Sequence, residues 1–125
     1  MSRLPLKPLW QAIASQIDSL GINQPERQFP FVMIDQLEMQ DAFETKDTEA
    51  YEATFFVDVI TSGDSPDESL GIIEQVRETL TEDRLTVDGF TVDRLTPEAL
   101  TPIHDTEEGV WRQVQRYRIV LLTEK

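Results

Sequence analysis

The chain of 125 residues lacks cysteine altogether and has a single histidine, His104. Without cysteine it has no disulfide bond, no thiolate metal ligand and no cysteine nucleophile. It also lacks a Gly-rich phosphate loop, a metal-binding pair of histidines and a serine-nucleophile motif. A lone loop histidine beside an aspartate, here Asp105, is far more often a surface residue than a general base. The sequence therefore predicts a protein that is not an enzyme and uses no cofactor.

Long apolar runs are absent as well. The first twenty residues carry prolines and a lysine instead of an apolar signal segment, and no stretch reaches the roughly 20 residues needed to cross a bilayer. A chain of 125 residues has the size of one domain with one modest core. We therefore expect a single domain, residues 1–125, that stays in the cytoplasm and does not contact a membrane.

Positive charge is scarce, since 11 lysines and arginines face 24 acids and the net charge is −13. Nucleic-acid phosphates repel such a surface, so we expect no specific nucleic-acid binding. The charge is uneven: eight acids and one base lie between Asp35 and Asp58, and three arginines and no acid lie between Val110 and Leu122. An acidic excess usually serves solubility alone, but this asymmetry leaves complementary patches for self-association.

The first half of the chain shows a helix pattern followed by two strand patterns. Apolar residues at spacings of three and four from Leu6 to Leu20 predict an amphipathic helix that ends at Gly21. Phe31 to Met39 predicts a strand, and Asp41 to Ala50 is polar enough to predict a long hairpin connection. The apolar members predicted to share one face are, in the helix, Leu6, Leu9, Trp10, Ile13, Ile17 and Leu20, and, in the strand, Phe31, Met33, Leu37 and Met39.

The stretch from Tyr51 to Leu80 combines the two clearest patterns. Strict alternation from Tyr51 to Val59 predicts a strand with one buried face. Ser65 and Glu68 then have the spacing of a capping box, in which Ser65 accepts a bond from an amide of the first helical turn and Glu68 bonds back to the amide of Ser65. The apolar positions that follow predict a second amphipathic helix, with Ser69, Ile72, Ile73, Val76 and Leu80 on one face.

Prolines distinguish the third strand from the fourth. The third begins near Phe90, but Pro97 and Pro102 exclude a fully paired central strand, so we predict that it is short, bulged or at an edge. The fourth runs from Val110 to Thr123 and alternates apolar with basic residues. The resulting order, αββαββ, predicts an α+β two-layer sandwich with two helices on one side of a mainly antiparallel four-stranded sheet.

Two charged segments are candidate interfaces. The acidic connection could hold a hard cation, but it lacks the spacing and the glycine of a calcium loop, so we expect no metal site. The arginines of the last strand have two open interpretations. They pair with acids on neighbouring strands of the same chain, or they contact another subunit. In the second case, the arginine face of one copy meets the Asp35–Asp58 region of the next, a head-to-tail contact that can close into a ring. The candidate interface residues are Asp41, Glu44, Lys46, Asp47, Glu49, Arg112, Arg116 and Arg118.

Four segments have an order and spacing that are typical of one protein family. They are Phe29–Ile34, Tyr51–Val59, Ile72–Leu80 and Gly109–Arg118. Together with the first helix they resemble the tail-completion, or tail-terminator, proteins of long-tailed bacteriophages and phage-like gene transfer particles. The resemblance extends over nearly the full chain. It is weakest from Leu95 to Ile103, where the prolines interrupt what is usually a continuous third strand.

The resemblance implies a structural role. Such proteins form a ring, commonly a hexamer, on the head-proximal end of the tail tube, where the ring ends tube polymerisation and joins the tail to the neck. The implied partners are further copies of the chain, the tail tube protein and a head-neck completion protein. The implied location is the virion tail, after assembly in the host cytoplasm. The acidic composition supports one alternative, a small inhibitor that mimics nucleic acid and occupies a basic cleft.

Overall fold

The computed structural model describes residues 4–21, 29–44, 49–63 and 65–123, and the backbone alone for residues 41–44. The four strands form one sheet in the order β1-β2-β4-β3, in which every neighbouring pair is antiparallel. The predicted α+β class and the order αββαββ are therefore confirmed. The elements are α1 (Leu6–Asp18), β1 (Phe31–Glu44), β2 (Glu49–Ser62), α2 (Asp67–Thr79), β3 (Phe90–Asp105) and β4 (Val110–Thr123).

Both helices pack on the same face of the sheet, because their apolar positions and one side of every strand form one buried cluster. Tyr117 of β4 lies opposite Phe55 of β2, and the two rings stack with centroids 5.2 Å apart. Each large apolar side chain stabilises by roughly 1.5–3 kcal/mol when buried, so this cluster holds the two layers together. The helical layer contributes Leu9, Ile13 and Ile17 from α1, Ile72, Ile73 and Val76 from α2, and Leu80 directly after α2.

The first helix differs from its prediction at its N-terminal end. Leu9, Ile13 and Ile17 are fully buried, as the spacing predicted. Leu6 and Trp10 were expected on the same face, but they are 36% and 44% exposed. The helix therefore presents an apolar surface that the fold of one copy does not cover.

The first strand reverses its faces at a bulge. Three steps along β1, from Asp35 to Glu38, match two along β2, and Gln36 between them has a φ of 50°. The extra residue reverses the alternation of side chains, so the single shared face predicted for this strand is wrong. Phe31 and Met33 lie on the side away from the helices, whereas Leu37 and Met39 pack toward the core.

The connection between the first two strands is shorter than predicted. Phe43 pairs with Ala50 and Glu44 with Glu49, so most of the segment predicted as a loop is paired strand. Polar composition misled the prediction, because an edge strand can be polar wherever its side chains do not face the core.

The second helix begins one residue later than predicted, since a cap at Ser65 would make Pro66 the first helical residue. Its first residue is Asp67, and the cap position belongs to Pro66, which makes no side-chain cap bond. The hydroxyl of Ser65 does accept a hydrogen bond from the Asp67 amide, at 3.2 Å. The return bond from Glu68 that a capping box requires is not among the hydrogen bonds of the described residues. The Ser69 hydroxyl instead donates to the Pro66 carbonyl at 2.9 Å.

The third strand is bulged and lies at an edge of the sheet, which confirms two parts of its prediction. It is not short, since it pairs with β4 over nearly its whole length. Bulges occur between Val92 and Arg94 and between Pro97 and Leu100. An edge strand tolerates proline because its outer side carries no ladder of hydrogen bonds.

Candidate assembly surfaces

The face of the sheet opposite the helices carries the arginines that the sequence singled out. We call it the open face, because both helices pack on the other side of the sheet. Antiparallel pairing places Arg112 opposite Ile60, and Arg116 opposite Phe56 two rows further along. On the two central strands the open face consists of Glu52, Thr54, Phe56, Asp58 and Ile60 from β2 and Arg112, Val114, Arg116, Arg118 and Val120 from β4.

Two of the arginines bind carboxylates of their own chain. Arg118 Nε lies 3.1 Å from Glu52 Oε1, and its Nη2 lies 3.5 Å from Glu98 Oε2. Arg116 Nε lies 3.4 Å from Glu98 Oε1. Exposed pairs of this kind contribute about 0–1 kcal/mol each. The structure thus provides the cross-strand partners of the first interpretation, and contact with another copy stays a prediction.

The third arginine forms a more buried pair. Arg112 Nη2 lies 2.5 Å from Oδ2 of Asp58, a side chain that is only 1% exposed. Asp58 Oδ1 and Arg112 Nε are buried without a hydrogen-bond partner among the described residues. Burial raises the pKa of Asp58 above its ordinary value, although the hydrogen bond and the charge of Arg112 lower it and the charge of Asp35 raises it. The pair is therefore only half satisfied.

The sequence did not identify Asp58 and Glu98 as the partners of the arginines. Alternation places Asp58 on the side of β2 away from the core, but the structure buries this side chain, and its partner lies 54 positions away and depends on the register of β2 and β4. Glu98 lies in the bulge of β3. Strand register and bulge position are set by packing across the sheet, so no local pattern could identify either contact.

One end of the open face is apolar. Phe31, Ile60 and Val110 form a small buried cluster of their own. Beside it Phe29 is 45% exposed, with its ring centroid 5.5 Å from that of Phe31. An apolar margin next to charged pairs is typical of protein contact surfaces.

Three of the acidic candidates, Asp41, Glu44 and Glu49, lie toward the turn end of the β1–β2 hairpin. Asp41 and Glu44 belong to paired backbone of β1, while Lys46 and Asp47 fall outside the described residues. Glu49 begins β2 and accepts a hydrogen bond from the Tyr51 hydroxyl at 2.8 Å. Asp41, Glu44 and Glu49 are not brought together with Arg112, which lies toward the opposite end of the sheet.

The remaining candidate chemistry concerns metal ions and the single histidine. The described residues contain no group of three or more His, Asp or Glu side chains that could hold a metal ion. His104 stacks on Trp111 near the tip of the β3–β4 hairpin, with ring centroids 4.1 Å apart. The stack gives His104 a packing role. In the described part of the chain, no helix is long and apolar enough to cross a membrane.

Comparisons with known proteins agree with one another. The model of a family described as Tail completion protein gp17 matches residues 13–122. Among solved structures, a chain from "Virion of native gene transfer agent (GTA) particle" is similar, with a TM-score of 0.78 and 15% sequence identity. The alignment covers 97% of this chain and 99% of that chain. At that identity the likeness shows the fold alone. No curated protein sequence matches the chain.

Proposed function

The chain belongs to the tail completion protein gp17 family, and from this membership we propose that it caps the head-proximal end of a tail tube as a ring. The coarser assignment, a structural protein of phage or phage-like tails, follows from the family itself. The ring ends tube polymerisation and offers a surface to the head-neck completion protein. Its partners are further copies of the chain, in a hexamer, and the tail tube protein. It is assembled in the host cytoplasm and ends in the virion tail.

The observation that carries the proposal is the extent of the family match, which runs from α1 into β4. The likeness in fold to a chain from a gene transfer agent virion supports it. The two-layer architecture also suits the task. A terminator needs one surface that binds the last tube ring and another that recruits no further tube subunits. A subunit with helices on one side and an open sheet on the other presents two unlike surfaces.

Deletion of the gene from the producing genome tests the proposed function. We expect overlong or headless tails in electron micrographs, because nothing stops the tube or joins it to the neck. Supplying the intact protein from a plasmid is the control, and it should restore normal particles. Normal particles after deletion would reject the proposal. If, in addition, particles from the undeleted genome contained none of the protein, the alternative of an acidic inhibitor would be favoured.

Arg116→Glu tests the charged contact between copies. In this contact the arginines of one copy bind the acidic region of the next, including Asp41, Glu44, Asp47 and Glu49, while Lys46 lies among those acids. We expect the reversed charge to lower ring formation about tenfold or more, since a like charge replaces an opposite one. The melting temperature should shift by less than about 4 °C, because the bridge to Glu98 is partly exposed.

The matched control for that variant is Arg94→Glu, an exposed arginine of β3 outside the β4 row. Native mass spectrometry of the purified chains, and of caps released from particles, reads out the assembly. If Arg116→Glu assembled as well as the wild type, the arginines would not form part of the interface. That result would not contradict the proposed ring itself.

A further inference from the structure

The α1–β1 edge of the molecule carries an apolar projection. Trp10 is 44% exposed on α1, with Lys7 one turn before it. At about 100° per residue, Trp10 and Gln16 lie on opposite flanks of the buried stripe. Gln16 faces α2, because its side chain accepts a bond from Thr79 at 3.0 Å and donates one to the Arg84 carbonyl at 3.1 Å. The Trp10 flank therefore faces away from α2, at the side of the molecule where β1 ends the sheet.

The opposite edge carries a groove. It lies between the C-terminal end of α2, the turn that follows it, and β3, and its volume is about 490 Å³. The groove is largely open to solvent, so a side chain of another molecule can reach it. Because β3 ends the sheet on the other side, the groove and Trp10 lie at opposite edges. Its apolar lining comes mainly from Pro97, with small exposed parts of the buried Leu80 and Leu95, and Glu78, Glu82 and Asp83 supply negative charge.

We propose that Trp10 of one copy inserts into this groove of a second copy of the chain. The indole would cover the apolar lining, and Arg77, which also lines the groove, would offer its guanidinium as a cation–π partner. Lys7 brings positive charge to the acids. The N-terminus of α1 adds to it, because its first turn holds no acid and its cap makes no side-chain bond. Shape and charge thus favour the same occupant.

The β3 edge favours this docking over extension of the sheet. Pro97 and Pro102 remove two backbone donors from β3, and a bulge separates them. Both features are known to prevent an edge strand from pairing with another chain. An incoming copy therefore finds few hydrogen bonds along β3 but a formed groove beside it.

The contact is head-to-tail, since the projection and the groove are different surfaces at opposite edges. No copy can fill its own groove, so each added copy presents a new one, and the series closes if the rotation between copies permits. This inference rests on the proposed ring and names the residues that join its subunits. It uses none of the residues of the charged contact on the open face, so variants of the two contacts can be read separately.

Cross-linking in assembled particles tests the geometry, and because the chain itself has no cysteine it reacts only at the introduced positions. Ala14→Cys lies one turn from Trp10, and Thr81→Cys lies in the groove. With a short bis-maleimide reagent, we expect the double variant to give a ladder of covalent oligomers and each single variant to give none. The control replaces Thr81→Cys by Leu70→Cys, an exposed position on α2 outside the groove, and should give no ladder.

Substitution tests the energetics. Trp10→Ala should lower ring formation about tenfold or more, as loss of an interface tryptophan does, while the melting temperature changes by less than about 4 °C. Leu70→Ala, at a similarly exposed residue, should assemble normally. Lys7→Glu and Glu78→Lys should each weaken assembly, and their combination should restore it.

The outcomes separate the interface from the function. Capped particles with no ladder, or normal assembly by Trp10→Ala, would overturn the Trp10–groove contact and leave the terminator function intact. Particles that lack the protein altogether would overturn the function itself.

Discussion

Leu80→Asp is expected to leave no folded protein at 25 °C. Leu80 is 2% exposed and belongs to the buried cluster between the layers. The change removes roughly 1.5–3 kcal/mol of apolar burial. It also places a carboxylate without a partner where water hardly reaches, and that costs several kcal/mol more. Because a domain of this size is stable by only about 5–15 kcal/mol, the sum approaches or exceeds its whole stability. Circular dichroism and urea unfolding measure the loss.

Two controls isolate burial as the cause. Leu70→Asp makes the same chemical change on the same helix at a residue that is 37% exposed, and it should cost less than about 1 kcal/mol. Ser65→Ala removes the bond to the Asp67 amide and should cost about 0.5–1 kcal/mol, the low end of cap effects. If Ser65→Ala destabilised more than Leu80→Asp, the assignment of Leu80 to the core would be wrong.

The elements of this fold could be predicted because their signals are local. The alternation from Tyr51 to Val59 and the spacing of Leu9, Ile13 and Ile17 each report one buried face, and the structure buries those faces. Each pattern depends only on neighbours within one helix or strand. The α+β class followed from the order of such elements.

The bulge in β1 and the length of the β1–β2 hairpin could not be predicted in the same way. Gln36 has no glycine beside it to mark a left-handed backbone, and its φ of 50° arises from the pairing of β1 with β2. The polar residues after Met39 suggested a loop. They pair because neighbouring strand residues already fix the register, so that each further pair adds little entropic cost.

The candidate surfaces show the same division. That Arg112, Arg116 and Arg118 share one side of a strand is a local pattern, and it could be read from the sequence. Their partners come from other strands, and the groove combines residues from α2, a turn and β3. Contacts of this kind depend on the strand order β1-β2-β4-β3, which hydrophobic periodicity does not encode.

Arg112→Ala is expected to destabilise the protein by about 3 kcal/mol at pH 8, because it leaves the buried carboxylate of Asp58 without its cation. The loss should shrink at acid pH. Burial already holds the pKa of Asp58 above its ordinary value of 3.8, and Arg112 is the group that lowers it. Without Arg112 this pKa rises further, so the folded variant takes up a proton at a pH where the unfolded chain has lost it. A folded state that binds more protons gains stability as the pH falls.

Urea unfolding of wild type and Arg112→Ala at several pH values between about 4.5 and 8 measures this dependence. Arg118→Ala is the matched control, since its partners Glu52 and Glu98 are near the surface; it should cost less than about 1 kcal/mol. Asp58→Asn should suppress most of the loss in the double variant, because no buried charge then remains to be compensated. A loss that is equal at every pH, or one that persists beside Asp58→Asn, would show that Arg112 stabilises the sheet by packing and not by its charge.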